Sequence, residues 1–141
     1  MKDATFYLLA QLFSILNGNV SGSVYSIEQT PGETDNLFVR ITSGFSTKDN
    51  NKDNFGSTYV ANIDVINRVP RSALSYAELS TLSNEVTQLL NPTVQHNALT
   101  ENVDFKPVYG RIVDSRDFTD TSDGDYILRR VLTFESRIKQ K

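Results

Sequence analysis

The sequence predicts an α+β fold, an α/β sandwich in which two helices pack mostly antiparallel strands and from which a β-hairpin arm protrudes. Two segments carry apolar residues at helical spacing, and several others alternate apolar and polar residues with the period of a strand. The predicted order is helix, strands, helix, strands, which is typical of sheets covered by helices. A chain of 141 residues fits a single domain, 1–141, with one sizeable core.

A first helix is predicted over 4–17. Asp3 can cap its start, and Gly18 can supply the left-handed residue that ends it. Apolar side chains cover most of its circumference: Phe6, Tyr7, Leu8, Leu9, Leu12, Phe13, Ile15 and Leu16. A helix that is apolar on more than one side must bury more than one side, either deep in its own fold or beneath a neighbouring molecule.

Strands are predicted at about 24–27, 36–43, 57–69, 108–118 and 126–138. Alternation is clearest in the third of these. Its one face carries Tyr59, Ala61, Ile63 and Val65, and the other carries Asn62, Asp64 and Arg68. The run from Asp120 to Gly124 predicts the hairpin turn that joins the last two strands.

The segment from Ser46 to Gly56 is rich in Asn, Asp and Gly, which favour turns. It lies between two predicted strands. We therefore predict a long, solvated hairpin arm.

A second helix is predicted over 76–91. Ser75 and Glu78 have the spacing of a capping box, and Pro92 cannot continue the helix. One face of this helix is apolar, with Leu79, Leu82, Val86 and Leu89. The stretch 93–104 has no periodicity and is predicted to be a loop.

The composition argues against several classes of function. The net charge of −3 is spread along the chain, so no basic stripe points to nucleic acid or to a membrane surface. The absence of cysteine excludes disulfides, thiolate zinc sites and cysteine nucleophiles. The apolar run from Phe6 to Leu16 is too short to span a bilayer. It makes a poor signal peptide because the charges of Lys2 and Asp3 cancel, which leaves no positively charged start, and because no clear cleavage pattern follows.

The case for catalysis is weak. His96 is the single histidine, and its polar loop setting favours a solvated surface residue over a ligand or a base. The acidic clusters at 49–53 and 120–125 depart from a calcium loop, since Asn54 stands where glycine is required and Val60 where glutamate is required. The sequence predicts a protein that is not an enzyme and that holds neither a metal nor a cofactor.

The arginines of the last strands form the more suggestive constellation. If Arg130 shares a face with Leu128 and Leu132, it needs a partner inside the fold or across a contact, unless that strand end reaches solvent. Arg129 and Arg116 belong to the same group. Both explanations for Arg130, a charged partner or a strand end that reaches solvent, stay open at this point.

The succession of elements resembles a known family. An apolar helix leads into Leu37-Phe38-Val39-Arg40-Ile41, then the polar arm, then the strand from Tyr59 to Ile66. The helix that starts at Ser75-Tyr76-Ala77-Glu78 follows, and the last strand ends in Arg130-Val131-Leu132-Thr133-Phe134-Glu135-Ser136. This pattern is similar to the tail terminator, or tail-completion, proteins of tailed bacteriophages, and more loosely to other small head–tail joining proteins.

The resemblance implies a structural virion protein that forms a ring, commonly six-fold, at the neck of the particle. Such a ring ends tail growth and joins the tail to the head or connector. It implies a homo-oligomer that contacts connector-side and tail-side virion proteins and that assembles in the host cytoplasm. It requires no sequence-specific nucleic acid and no membrane. The long segment 93–104 and the acidic balance depart from the family pattern, so a ring of another order in a short-tailed phage is also open.

The predicted interface combines three groups of residues. They come from the first helix, the arm and the last two strands: Phe6, Leu8, Leu12, Lys48, Asp49, Lys52, Asp53, Phe55, Arg116, Arg129 and Arg130. Two alternatives compete with this hypothesis. One is a soluble monomeric binding module or another phage accessory protein. The other is a small hydrolase or metal-binding protein built around His96.

Overall fold

The structure, a computed structural model, describes residues 3–26, 35–51, 54–91 and 97–141, and the side chains of these residues outside 45–56. The helices are α1 (Thr5–Leu16) and α2 (Ala77–Leu90), with a short 3-10 turn at Arg71–Ala73. The strands are β1 (Ser23–Tyr25), β2 (Leu37–Asn51), β3 (Asn54–Pro70), β4 (Phe105–Ser122) and β5 (Asp125–Gln140).

The strands form one sheet in the order β1-β2-β3-β5-β4. β1 pairs with β2 in parallel, and every other neighbouring pair is antiparallel. The predicted α+β class is therefore confirmed. The strand that is last in the sequence lies inside the sheet, between β3 and β4.

The core lies between one face of this sheet and the two helices. In β3 the alternation is as predicted, with Tyr59, Ala61, Ile63 and Val65 buried. The helices and β5 supply most of the facing side chains: Leu8, Leu12, Leu16, Leu79, Leu82, Val86, Leu90, Leu128, Leu132, Phe134 and Ile138. Burial of each such side chain contributes about 1.5–3 kcal/mol to folding, so this layer is the main source of stability.

The first helix is fixed at both ends. The N-cap of α1 is Ala4 and not the predicted Asp3, but Asp3 Oδ1 still accepts a hydrogen bond from the Thr5 backbone N–H at 2.9 Å. The Tyr59 hydroxyl accepts one from the Ala4 backbone N–H at 3.1 Å. After the helix, Gly18 has φ of +80°, the left-handed conformation that glycine adopts without strain. The start of α1 is thus tied to the central strand β3.

The predicted capping box of the second helix is wrong. The N-cap of α2 is Tyr76 and makes no side-chain capping bond. Ser75 Oγ instead accepts from the Ala77 backbone N–H, at 3.3 Å. Because the helix begins one residue later than the box needs, Glu78 is not at the third helical position.

The outer strand β4 departs from strict alternation. Its register with β5 shifts between Pro107 and Tyr109 and again between Ile112 and Asp114. These shifts are bulges that leave Val108 and Val113 without a partner across the strand pair. Gly110 lies between them, and a Cβ there would come within 2.7 Å of Phe134 Cζ. Glycine at this position lets the Phe134 ring pack over the strand.

The predicted arm is a continuation of two strands. Pairing of β2 with β3 extends outward to Asn51 and Asn54, after an irregularity between Ser43 and Ser46. Residues 46–51 and 54–56 therefore form the outer part of this long strand pair.

Candidate interaction surface

One face of the sheet carries the charged side chains of the central strands. Both helices pack on the opposite face, against β2, β3, β4 and β5. The register places Asp64 of β3, Arg129 of β5 and Arg116 of β4 on the face that the helices leave uncovered. We call this face the open sheet face.

A buried carboxylate lies in the middle of the open sheet face. Asp64 is only 7% exposed, and its Oδ2 accepts a hydrogen bond from Arg129 Nη2 at 2.8 Å. Arg40 is the register partner of Asp64 on β2. A buried charge is tolerated when opposite charges lie beside it. Asp64 is thus paired with Arg129 of β5 and lies opposite Arg40 in the register of β2.

Further pairs extend across the same face toward its β4 edge. Arg116 Nε donates to Asp114 Oδ2 at 3.0 Å, and the Tyr109 hydroxyl donates to Glu135 Oε1 at 2.7 Å. The Glu135 carboxylate raises the pKa of Tyr109, because it accepts a hydrogen bond that only the neutral phenol can donate. The Arg111 guanidinium lies 5.2 Å from the centre of the Tyr109 ring. Charges and aromatic rings therefore form one connected layer.

The open sheet face also exposes apolar groups. Phe118 and Val113 are 48% and 44% exposed, and the Arg129 guanidinium lies 5.8 Å from the centre of the Phe118 ring. Both residues line a pocket of about 550 Å³, together with Val60, Arg116, Arg129 and Val131. Arginine and aromatic residues around apolar groups are the composition of a protein–protein contact.

Arg130 has a different environment from Arg129. It lies on the same side of β5 as Leu128 and Leu132, and its Nε and Nη2 donate to the two carboxylate oxygens of Asp117 at 2.7 and 3.1 Å. This hydrogen-bonded pair lowers the pKa of Asp117 and raises that of Arg130. The partner that the sequence required is thus inside the fold, which corrects the expectation that Arg130 reaches toward a neighbour.

The first helix also requires a correction. Leu8 and Leu12 lie in the core of their own protomer and cannot contact another subunit directly. They are buried because they face β2 and β3, the strands against which α1 packs. Phe6 is the large apolar side chain of this helix that remains outside, at 80% exposed.

Several predicted residues cannot be placed. The side chains of Lys48, Asp49 and Phe55 lie outside the described ones, as do residues Lys52 and Asp53. His96 also lies outside the described residues. Within the described ranges, no group of three histidine, cysteine or acidic residues is placed to bind a metal ion. None of the described helices is both long and apolar enough to cross a membrane.

The most buried member of the surface was missed from the sequence. Asp64 sits at a position that alternation assigns to the wet face, and nothing local reveals that Arg40 and Arg129 flank it. Phe118 was missed for a related reason, since two bulges must be known before its face can be assigned. The one local signal is the recurrence of arginine in the last two strands, and the structure places two of these arginines, Arg116 and Arg129, on the open sheet face.

Comparison with known proteins gives a structural likeness only. No protein-family model matches the sequence, and no curated protein matches it. Among solved structures, the chain is similar to one from the virion of a native gene transfer agent particle. The two share 15% sequence identity with a TM-score of 0.63, and the alignment covers 96% of this chain and 92% of the other. At this identity the likeness establishes a shared fold.

Proposed function

We propose that this protein is a structural component of a phage-like virion. The observation that carries the proposal is the fold likeness to a gene transfer agent virion chain, because it extends over nearly all of both chains. The surface chemistry is consistent with it, since the open sheet face has the composition of a protein contact.

Within the particle, the proposed role is that of a ring-forming tail terminator or neck subunit. The ring stops tail growth and joins the tail to the head or connector. The order of elements supports this role, with an apolar first helix, a long hairpin arm and a final hairpin rich in arginine. Each of these can meet a neighbour in a ring, and none of them requires an active site.

The first experiment measures assembly of the purified protein. Native mass spectrometry and negative-stain electron microscopy are carried out over a range of protein concentrations, alone and with the connector and tail proteins encoded beside it. We expect closed rings of one order, formed alone or on the connector. A chain that stays monomeric in every mixture would favour a monomeric binding module instead.

The second experiment tests the position of the ring in the particle. The gene is deleted in the producing strain and supplied again on a plasmid as the control. We expect free heads together with tails of uncontrolled length, and normal particles when the gene is restored. Particles of normal shape and yield without the protein would contradict a role at the neck.

A further inference from the structure

The two sides of the protomer carry opposite charge. Over the strand residues whose side chains are described, the register assigns eight basic residues to the open sheet face and five acidic ones, a formal balance of +3 in a chain whose total is −3. The basic residues are Arg40, Arg68, Lys106, Arg111, Arg116, Arg129, Arg137 and Lys139, and the acidic ones are Asp64, Asp114, Asp120, Asp125 and Glu135.

The opposite side is acidic. We call it the helical layer, made of residues 3–16, 77–90 and 97–104. The last segment belongs to it because Thr100 bonds to Tyr7 and Gln11 of α1. The sequence of these three ranges holds five carboxylates and neither lysine nor arginine, namely Asp3, Glu78, Glu85, Glu101 and Asp104. Glu101 forms an ion pair with Lys141 at 3.3 Å. The helical layer therefore complements the open sheet face in charge.

The pattern of contacts on the open sheet face favours a protein over a nucleic acid as its partner. A surface that binds phosphates presents cations that are free to contact them. Here Arg129 and Arg116 already bind carboxylates of their own protomer, and exposed Val113 and Phe118 lie beside them. Such a mixture of paired charges and apolar groups matches the surface of another folded protein.

We propose that the open sheet face of one copy packs against the helical layer of the next copy. This inference rests on the ring proposed above and specifies its subunit contact. Two different surfaces of the same chain meet, so the contact is heterologous, and repeating it generates a closed ring when the rotation between copies closes. Two apolar side chains near Glu78 are also exposed, those of Leu74 and Tyr76. They extend the surface of the helical layer that would meet the open sheet face.

The test exchanges charge on the two sides separately. A sheet variant carries Arg111→Glu and Arg116→Glu, and a helix variant carries Glu78→Arg and Asn84→Arg; all four side chains are exposed. Each variant alone places like charges across the contact. We expect the concentration for half-assembly to rise about tenfold or more in each, as for charges opposed across an interface.

An equimolar mixture of the two variants is expected to assemble again. The new carboxylates on the sheet face of one variant then meet the new arginines on the helical layer of the other, and the remaining contact has the wild-type polarity. A ring of even order built from alternating variants satisfies both contacts. Native mass spectrometry distinguishes such a ring from one of either variant alone, and recovery on mixing also shows that both variants are folded.

Thr119→Glu is the matched control. Thr119 is exposed on β4 beside Phe118, but it faces the helical side of the sheet. That side is already acidic, so a further carboxylate there opposes no like charge on the open sheet face of the next copy, and assembly should stay at the wild-type level. Thermal unfolding of each variant is measured in parallel to confirm that the fold is retained.

Four outcomes would overturn the contact. If the wild type forms rings and both variants assemble at the same concentration, the proposed contact is overturned and the proposed function is not affected. Loss of assembly in each variant without recovery on mixing, with the fold of both retained, would show that these two surfaces do not face each other. Unchanged rings with weakened binding of duplex DNA by the sheet variant would indicate a nucleic-acid partner. A wild-type chain that never assembles would overturn the proposed function and this contact together.

Discussion

Leu12 and Phe6 lie on the same helix in opposite environments. Leu12 is fully buried between α1 and the sheet, whereas Phe6 is 80% exposed. We expect Leu12→Ala to lower the free energy of unfolding by about 2–5 kcal/mol, because it removes core contacts and leaves a cavity. Phe6→Ala should change it by about 0.5 kcal/mol or less.

Urea denaturation of both variants measures these differences, and assembly is followed in the same samples. Under the proposed function, Phe6→Ala impairs assembly although it leaves the fold unchanged. A loss of stability for Phe6→Ala as large as that for Leu12→Ala would show that Phe6 belongs to the core.

Asp64 gives a second prediction at the level of single residues. Asp64→Asn keeps the shape of the side chain but removes the charge that Arg129 binds. We expect the free energy of unfolding to fall by about 1–3 kcal/mol, the range for a buried hydrogen bond that involves a charged group.

Asp114→Asn is the control for this prediction, since its partner Arg116 is exposed and such surface pairs contribute about 0–1 kcal/mol. Chemical denaturation of the two variants compares them directly. Equal effects would show that the burial of Asp64 does not strengthen its pair with Arg129.

Among the elements, the hairpin arm can be altered without disturbing the core. Replacing Asp49–Gly56 by Asn-Gly preserves the pair of Lys48 with Ser57 and closes the strands with a two-residue turn. We expect the thermal midpoint to change little, because polar hairpin tips contribute little to core burial. Assembly should be impaired, as sedimentation of the variant and the wild type would measure.

A contrary result for the arm would be equally informative. If the shortened hairpin lowered the thermal midpoint and assembly by the same proportion, the arm would be part of the folded body. If both stayed unchanged, the arm would have no role in joining subunits.

The elements differ in how far the sequence predicts them. The strand from Tyr59 to Val69 and the apolar side of α2 follow from periodicity, because one face of each carries the apolar core residues and the other carries mostly polar ones. The bulges at Val108 and Val113 do not, since they depend on pairing with β5. The capping box failed because helix starts shift by a residue at little cost in free energy.

At the level of the whole molecule, the fold class follows from the sequence but the surface does not. Local periodicity predicts the helices and strands. The side to which Arg40, Arg116 and Arg129 point depends instead on pairing between residues as far apart in the chain as Ile66 and Arg129. Net charge alone suggested an even distribution. The basic and acidic sides are distinguished only once the register of the four strands is known, because the register assigns each charged side chain to one face of the sheet.

This separation predicts a dependence of assembly on salt. Raising sodium chloride from about 0.05 to about 0.5 M shortens the screening distance between charges to a few ångströms. We expect the concentration for half-assembly to rise with salt in the wild type, as measured by light scattering. Assembly that strengthens with sodium sulfate and is indifferent to chloride would instead indicate a contact held by apolar burial.

The place of β5 in the sheet affects how the chain folds during synthesis. Since β5 lies between β3 and β4, a growing chain that has not yet made residues 125–140 presents two long strands with no partner on their facing edges. Such edges can pair with another nascent chain on the same messenger RNA. Translation that stalls before Asp125 should therefore yield aggregates, whereas completion of β5 closes the gap within a single molecule.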